Sequence, residues 1–164
     1  MLLDPQLEWL KATSIATIVR ENSLFFPLIE SIHVLAITLV FGTILIMDLR
    51  LIGLASRETM VKQLAQSVLP WTWAAFAIAV LSGGLLFASN APAYAHNFYF
   101  QCKLVLIVLA GFNMSVFHLH LNPNTHRSVA DRVTPRSDRI VGVTSMALWI
   151  AVIACGRWIG FTMI

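Results

Sequence analysis

Residues 24–47, LFFPLIESIHVLAITLVFGTILIM, decide the fold class of this chain. The stretch is apolar over nearly its whole length, and its ionisable side chains are Glu30 and His33. A helix of about 20 mostly apolar residues crosses the hydrocarbon core of a bilayer. Because lipid offers backbone groups no hydrogen-bond partner, such a segment is expected to be α-helical. We therefore predict a transmembrane helix here.

The rest of the chain repeats this pattern. Further apolar blocks occupy residues 68–88, 101–121 and 140–163. Hydrophobic residues make up 58% of the 164 and charged residues 12%, whereas soluble domains have about 45–50% and about 25%. This composition, with a mean hydropathy of +0.78, excludes most soluble classes. The long apolar blocks, which have no heptad or Gly-X-Y period, exclude the disordered, collagen-like and coiled-coil classes. The small net charge of +3 does not indicate nucleic acid as a partner. We expect a single integral membrane domain over residues 1–164, surrounded by the lipid bilayer.

The segment before the first block predicts a helix of a different kind, over about residues 4–20. Asp4 followed by Pro5 is typical of a helix start, and Leu7, Leu10 and Ile18 recur at near-helical spacing. An amphipathic helix on the membrane surface fits this pattern, and a solvated leader is the alternative. Most connections between the blocks are short. The predicted fold is therefore all-α, a four-helix transmembrane bundle with an N-terminal amphipathic surface helix.

The distribution of Lys and Arg predicts the orientation, because cytoplasmic loops of membrane proteins carry an excess of these residues. The first and third connections hold Arg50, Arg57, Lys62, Arg127, Arg132, Arg136 and Arg139. The remaining segments hold Lys11, Arg20, Lys103 and Arg157. We expect a multi-pass protein of the bacterial inner (plasma) membrane with both termini in the periplasm. Asp48 and Arg50, at the end of the first span, are interpreted as a topological anchor. Alternatively, Asp48 could contact His118.

Ionisable groups inside spans are costly and are therefore candidates for function. Glu30 and His33 lie one helical turn apart, on one face of the first span. The other three spans add further candidates at a similar depth in the outer half of the bundle: Gly83 and Gly84, Lys103, and Arg157.

These residue types are those of a b-type haem site. Imidazole is a common axial ligand, so His33 is predicted to bind iron, with Glu30 orienting its ring. Arg157 and Lys103 are expected to neutralise the haem propionates, and the glycines leave room for the porphyrin plane. Two alternatives stay open. Glu30 and Arg157 could form an ion pair while the glycines pack helices, or the same pocket could bind quinone or another small ligand.

The second axial ligand is predicted from depth. His118 lies near the cytoplasmic end of the third span, roughly 17 Å from His33 along the membrane normal. One iron cannot bind both, which leaves His96, in the outer loop, as the second ligand, or a five-coordinate iron. At the inner end His118, with His120 and His126 nearby, is a candidate for a second haem, for a copper site or for no ligand.

Four stretches carry a resemblance that covers nearly the whole chain. They are FPLIESIHVLAITLVFGTILIMDLRLIGLA, LPWTWAAFAIAVLSGGLLF, FYFQCKLVLIVLAGFNMSVFH and ALWIAVIACGRWIGF. Together they resemble a family of small, uncharacterised bacterial four-helix inner-membrane proteins, which implies a fold and a location. More loosely, the chain looks like cytochrome b561 and the copper-resistance D membrane proteins. Those cytochromes use paired histidines on facing helices, whereas here only His33 lies well inside a predicted span.

The leading functional hypothesis is an electron-transfer subunit with haem b near the periplasmic face, between the quinone pool and a membrane or periplasmic redox partner. The chain has no nucleophile constellation, phosphate loop or large extramembrane domain. These features favour an electron-transfer or accessory subunit over a stand-alone enzyme. The alternatives are a non-catalytic accessory subunit of a larger membrane complex, and copper or other metal handling.

Overall fold

The chain is all-α, as predicted from the sequence. A computed structural model describes residues 4–55, 61–120 and 136–162, and within these ranges it contains helices and no strand. The helices are α1 Asp4–Lys11, α2 Ser14–Glu21, α3 Phe25–Ile52, α4 Val61–Ser89, α5 Ala91–His96, α6 Phe98–His120 and α7 Arg136–Thr162.

Four of these helices are long and apolar enough to cross a membrane, and each coincides with one of the predicted blocks. The membrane-length segments are Phe25–Ile52, Gln63–Ser89, Phe98–Val116 and Arg139–Thr162. The first two extend well beyond the predicted 24–47 and 68–88. Tertiary packing accounts for the extra turns, because Met47 and Leu51 at the end of α3 are buried against the start of α4.

The long helices pack side by side in the order α4, α3, α7, α6. Cross-helix contacts show that neighbours run antiparallel: His33 meets Ser82 and Thr43 meets Thr72, while Asp48 meets Ser145. Among the described residues, no Cα atom of α4 lies within 8 Å of one in α6. We call the side where α3 begins and α7 ends the His33 end, and the opposite side the Asp48 end.

Small side chains fill the contacts between these helices, and large apolar ones point outward. Ala36, Ala75 and Ala110 are buried, whereas Leu81 and Val108 are each 71% exposed. Helices in membranes associate through close packing of small residues. Soluble proteins rarely expose large continuous apolar surfaces. The outward faces of the long helices therefore suit a lipid environment.

The N-terminal segment forms two short helices where one was predicted over residues 4–20. The Thr13 hydroxyl donates to the Leu10 carbonyl (2.7 Å) and accepts from the Ala16 amide (3.4 Å), which ends α1 and begins α2. Ala16 and Val19 are buried, and α2 packs on α3 and α4. The Arg20 guanidinium donates to the Ser89 carbonyl (3.2 Å), which ties α2 to the end of α4.

Candidate functional site

His33 contacts α4 through a hydrogen bond to Ser82. Its Nδ1 lies 3.0 Å from Ser82 Oγ. The Ser82 hydroxyl itself donates to the Ile78 carbonyl (2.6 Å). When the hydroxyl donates its single hydrogen to Ile78, Nδ1 is the donor in the bond to Ser82. In this tautomer Nε2 of His33 carries the lone pair, and it lies 3.6 Å from the point where a Cβ on Gly83 would stand.

Gly83 is the reason that the imidazole can lie so close to α4. A Cβ atom built on Gly83 would stand 2.8 Å from His33 Cε1, which is too close for any side chain. The neighbouring Gly84 is exposed, and a Cβ there would meet nothing within 4 Å. Gly83 thus makes room for the ring of His33. The predicted contact of both glycines with a porphyrin plane stays a prediction.

Lys103, from α6, completes a cluster drawn from several helices. It is half-buried, and it lies close enough to His33 for their charges to interact. Its Nζ stands 3.6 Å from the point where a Cβ on Gly156 would lie, which places the ammonium group beside α7. Cys155, also a neighbour of Lys103, is a free thiol. The structure therefore brings His33, Gly83 and Lys103 together. An imidazole and a cation thus lie near each other at the His33 end of the molecule.

Glu30 and Arg157 lie outside this cluster. Both side chains are exposed, and among the described residues they form no ion pair with each other. The Arg157 guanidinium lies 4.8 Å from the centroid of the Phe161 ring, a cation–π contact. Glu30 is close to Tyr94 of α5, where burial first and the carboxylate second raise the pKa of the tyrosine hydroxyl. The proposed roles of Glu30 toward His33 and of Arg157 toward a propionate stay predictions.

The other histidines that the sequence suggested as ligands are His96 and His118. His96 ends α5, is exposed, and its Nδ1 lies 2.8 Å from the Pro92 carbonyl oxygen. His118 belongs to α6, but its side chain, like that of His120, is outside the described residues, and so is all of His126. Among the described residues, no group of three or more His, Cys, Asp and Glu side chains could hold a metal ion.

Sequence reasoning missed the most deeply buried charged groups. Asp48 and Arg50, interpreted as an anchor at the membrane surface, are each only 4% exposed. The Ser145 hydroxyl of α7 hydrogen-bonds the Asp48 carboxyl group. A signal was present, because an acid inside an apolar helix with a serine on another span often marks a polar contact between helices. The pairing itself depends on which faces of α3 and α7 meet.

Comparison with known proteins identifies a family. No curated protein and no solved structure matches the chain, and no cytochrome b561 or copper-resistance family is shown. The model of a family of unknown function, DUF6644, matches residues 6–162. This confirms the expected likeness to an uncharacterised family. Since the match covers all seven helices almost completely, the chain belongs to the family of unknown function DUF6644.

Proposed function

We propose that this chain is a multi-pass protein of the bacterial inner membrane, with four transmembrane helices and α1 and α2 on the periplasmic side. The apolar outward faces of the long helices support insertion in lipid. The excess of Lys and Arg in the first and third connections supports a cytoplasmic Asp48 end. Both termini and the His33 end would then face the periplasm.

Within this frame, we propose that His33 is an axial ligand of haem b in an electron-transfer subunit. The observation that carries the proposal is the hydrogen bond between His33 Nδ1 and Ser82 Oγ. Metal-bound histidines typically donate their second ring N–H in this way, which holds the ring orientation and increases the basicity of the ligating nitrogen. The residues thus fit one axial ligand, and Lys103 supplies a cation for one propionate.

Each residue of the cluster has a separate task in this proposal. Ser82 orients the imidazole, Gly83 permits its close approach to α4, and Lys103 places a positive charge beside it in a region of low dielectric. His96 is the proposed second ligand. A propionate contact by Arg157 requires its guanidinium to leave the Phe161 ring. Haem b supplies one-electron chemistry, here between the quinone pool and a membrane or periplasmic redox partner.

The test is the haem-to-protein ratio and reduced-minus-oxidised spectrum of the purified full chain after reconstitution with haemin. We expect a sharp reduced α band and a pyridine-haemochrome signature in the wild type, and their loss in His33→Ala. Ser82→Ala should retain the ligand but weaken haem affinity by about 10–100-fold. Thr38→Ala is the matched control, because this exposed hydroxyl on α3 bonds only within its own helix, to Val34.

Two results would contradict the haem proposal. The first is a colourless wild type that takes up no haemin under conditions in which it remains folded. The second is haem retention by His33→Ala equal to that of the wild type. The effect of His96→Ala tests the second ligand separately, since a five-coordinate iron would keep its haem in that variant.

A second candidate, a non-catalytic accessory subunit, is favoured by the exposure of α6. Only 6% of its membrane-length segment is buried inside the molecule, and Val105, Val108 and Phe112 point outward. Such a face can be covered by a helix of a larger membrane complex instead of by lipid. On this alternative the preparation is colourless and co-purifies stoichiometrically with other membrane subunits, and His33→Ala leaves complex assembly and activity near normal. The third hypothesis, metal handling, would depend on His118 and the histidines near it, whose side chains are outside the described residues.

A further inference from the structure

A cavity of about 150 Å³ lies between the four long helices toward the Asp48 end. A single water needs only about 10–15 Å³, and an apolar cavity of about 150 Å³ is large enough for a benzene ring. Its walls include the aromatic side chains of Trp73, Phe76 and Trp149. The space is therefore suited to a ring-sized organic group.

Asp48 lines this cavity with an oxygen that has no partner. Its side chain is 96% buried, since only 4% is exposed. One carboxyl oxygen is engaged by Ser145, but Oδ2 makes no hydrogen bond to any described residue. Buried polar atoms are nearly always hydrogen-bonded, because an unpaired one loses its hydration without compensation. Oδ2 is thus an acceptor that lacks a donor.

Three other polar side chains of the wall, Thr72, Asn113 and Ser145, are already engaged within the protein. The Thr72 hydroxyl contacts Thr43 Oγ1 (2.9 Å) and the Val68 carbonyl (3.1 Å). The Asn113 amide donates to the Val141 carbonyl (3.2 Å). Among the described wall residues Asp48 is the one with an acidic side chain, and no Lys, Arg or His lines the cavity. A molecule with a hydrogen-bond donor would complement Asp48 Oδ2 in this cavity.

The cavity is bounded by α4 and α6, which are not closely packed against each other. Leu69 and Thr72 line it from α4, and Ala110 and Gly111 from α6. The backbones of these helices stay more than 8 Å apart among the described residues. We call the gap between these two helices the α4–α6 seam. At the His33 end it is closed by the stacked rings of Phe87 and Phe100, whose centroids are 5.2 Å apart. A lipid-soluble molecule could thus enter laterally between α4 and α6.

We propose that this cavity binds a bilayer-soluble molecule that has an apolar body and donates a hydrogen bond to Asp48 Oδ2. The body lies between the aromatic walls, and an aliphatic tail leaves through the α4–α6 seam. A quinol hydroxyl and the ammonium of a lipophilic amine share this chemistry. The site does not depend on haem at His33, which is fifteen residues, or ~22 Å, away along α3.

The experiment measures Tm of the full chain in nanodiscs of phosphatidylethanolamine and phosphatidylglycerol as ligand is added. The probes are decylubiquinol, kept reduced, and decylamine, which share a decyl tail. A ligand that binds only the folded state raises Tm with its concentration. We expect at least one probe to do so in the wild type, with apparent affinity weakened by ~10-fold or more in Asp48→Leu.

Two further variants separate the cavity from the bilayer. Gly111→Leu places a side chain in the wall at a position where a Cβ meets nothing within 4 Å, and it should block binding without a clash. Gly160→Leu is the matched control, because it is equally open but is not part of the cavity wall. It should respond like the wild type.

Asp48→Asn distinguishes the two ligand sources. The amide carbonyl still accepts from a hydroxyl, so quinol binding should weaken only modestly. The negative charge is lost, so amine binding should fall ~10-fold or more, as expected for a charge-assisted hydrogen bond. The proposal is overturned if neither probe raises the wild-type Tm, or if Asp48→Leu and Gly111→Leu respond as the wild type does. None of these readouts requires haem.

Discussion

Hydroxyl side chains on the long helices mostly return their hydrogen to a carbonyl one turn earlier. Thr38 donates to Val34 (2.8 Å) and Ser115 to Gly111 (2.9 Å). Such bonds satisfy a polar group inside one helix and need no neighbour. The hydroxyls of Ser82 and Ser145 also make contacts between helices, to His33 and to Asp48 respectively. These two cross-helix contacts mark the two candidate sites.

The adjacent glycines of α4 provide a matched test at this scale. Gly83→Ala should destabilise the protein by about 1–3 kcal/mol, because the new methyl group would overlap the His33 ring and force a shift. Gly84→Ala should be neutral or slightly stabilising, by up to about 1 kcal/mol, because alanine favours the helix and the position is open. Thermal unfolding of both variants measures the difference. Equal stability of the two would show that His33 does not lie against Gly83.

The ends of the helical elements are determined by local bonding as well as by apolar length. α3 ends at Gly53, which has a φ of 87°. Its amide bonds the Leu49 and Arg50 carbonyls (both 3.1 Å), and the Leu54 amide bonds Leu49 again (2.9 Å). This is the usual way for a helix to terminate on a left-handed glycine. At the other end of the molecule, Asn97 Oδ1 accepts from the amides of Tyr99 and Phe100, which starts α6 at once after α5.

We expect Gly53→Ala to cost about 1–2 kcal/mol, because an L-residue is strained in the left-handed conformation. Gly160→Ala is the control, since it lies inside α7 with open space around it and needs no unusual backbone angle. Chemical or thermal unfolding in the same detergent compares the two. A Gly53→Ala variant as stable as the control would mean that α3 can end without this conformation.

The whole molecule is an open arrangement of four long helices. α3 contacts both α4 and α7, whereas α4 and α6 are apart along their backbones. The centre therefore contains a cavity, and large apolar side chains are exposed on all four long helices among the described residues. The N-terminal helices pack at the His33 end, where α1 meets α5 and α2 meets α4.

Orientation in the membrane is a prediction at the scale of the whole molecule. A periplasmic reporter fused after Ile164 should be active, and the same reporter inserted near Thr134 should be inactive, because the Lys- and Arg-rich connections are expected in the cytoplasm. Expression of both fusions is checked by immunoblotting. The opposite pattern would place the His33 end in the cytoplasm and leave the relative positions of the two sites unchanged.

Sequence alone was sufficient for the all-α class and the four membrane-length helices, because bilayer thickness and backbone hydrogen bonding allow an apolar stretch such as residues 24–47 few other structures. It also selected His33 and Lys103, since ionisable groups at membrane depth are rare. Only the tertiary structure decided that Lys103 lies by His33 while Glu30 and Arg157 point outward, and that Asp48 is buried beside Ser145. These outcomes depend on the rotation of each helix about its axis. Small residues such as Gly83 and Gly142 lie at contacts between helices, and those contacts cannot be read from the sequence of one helix alone.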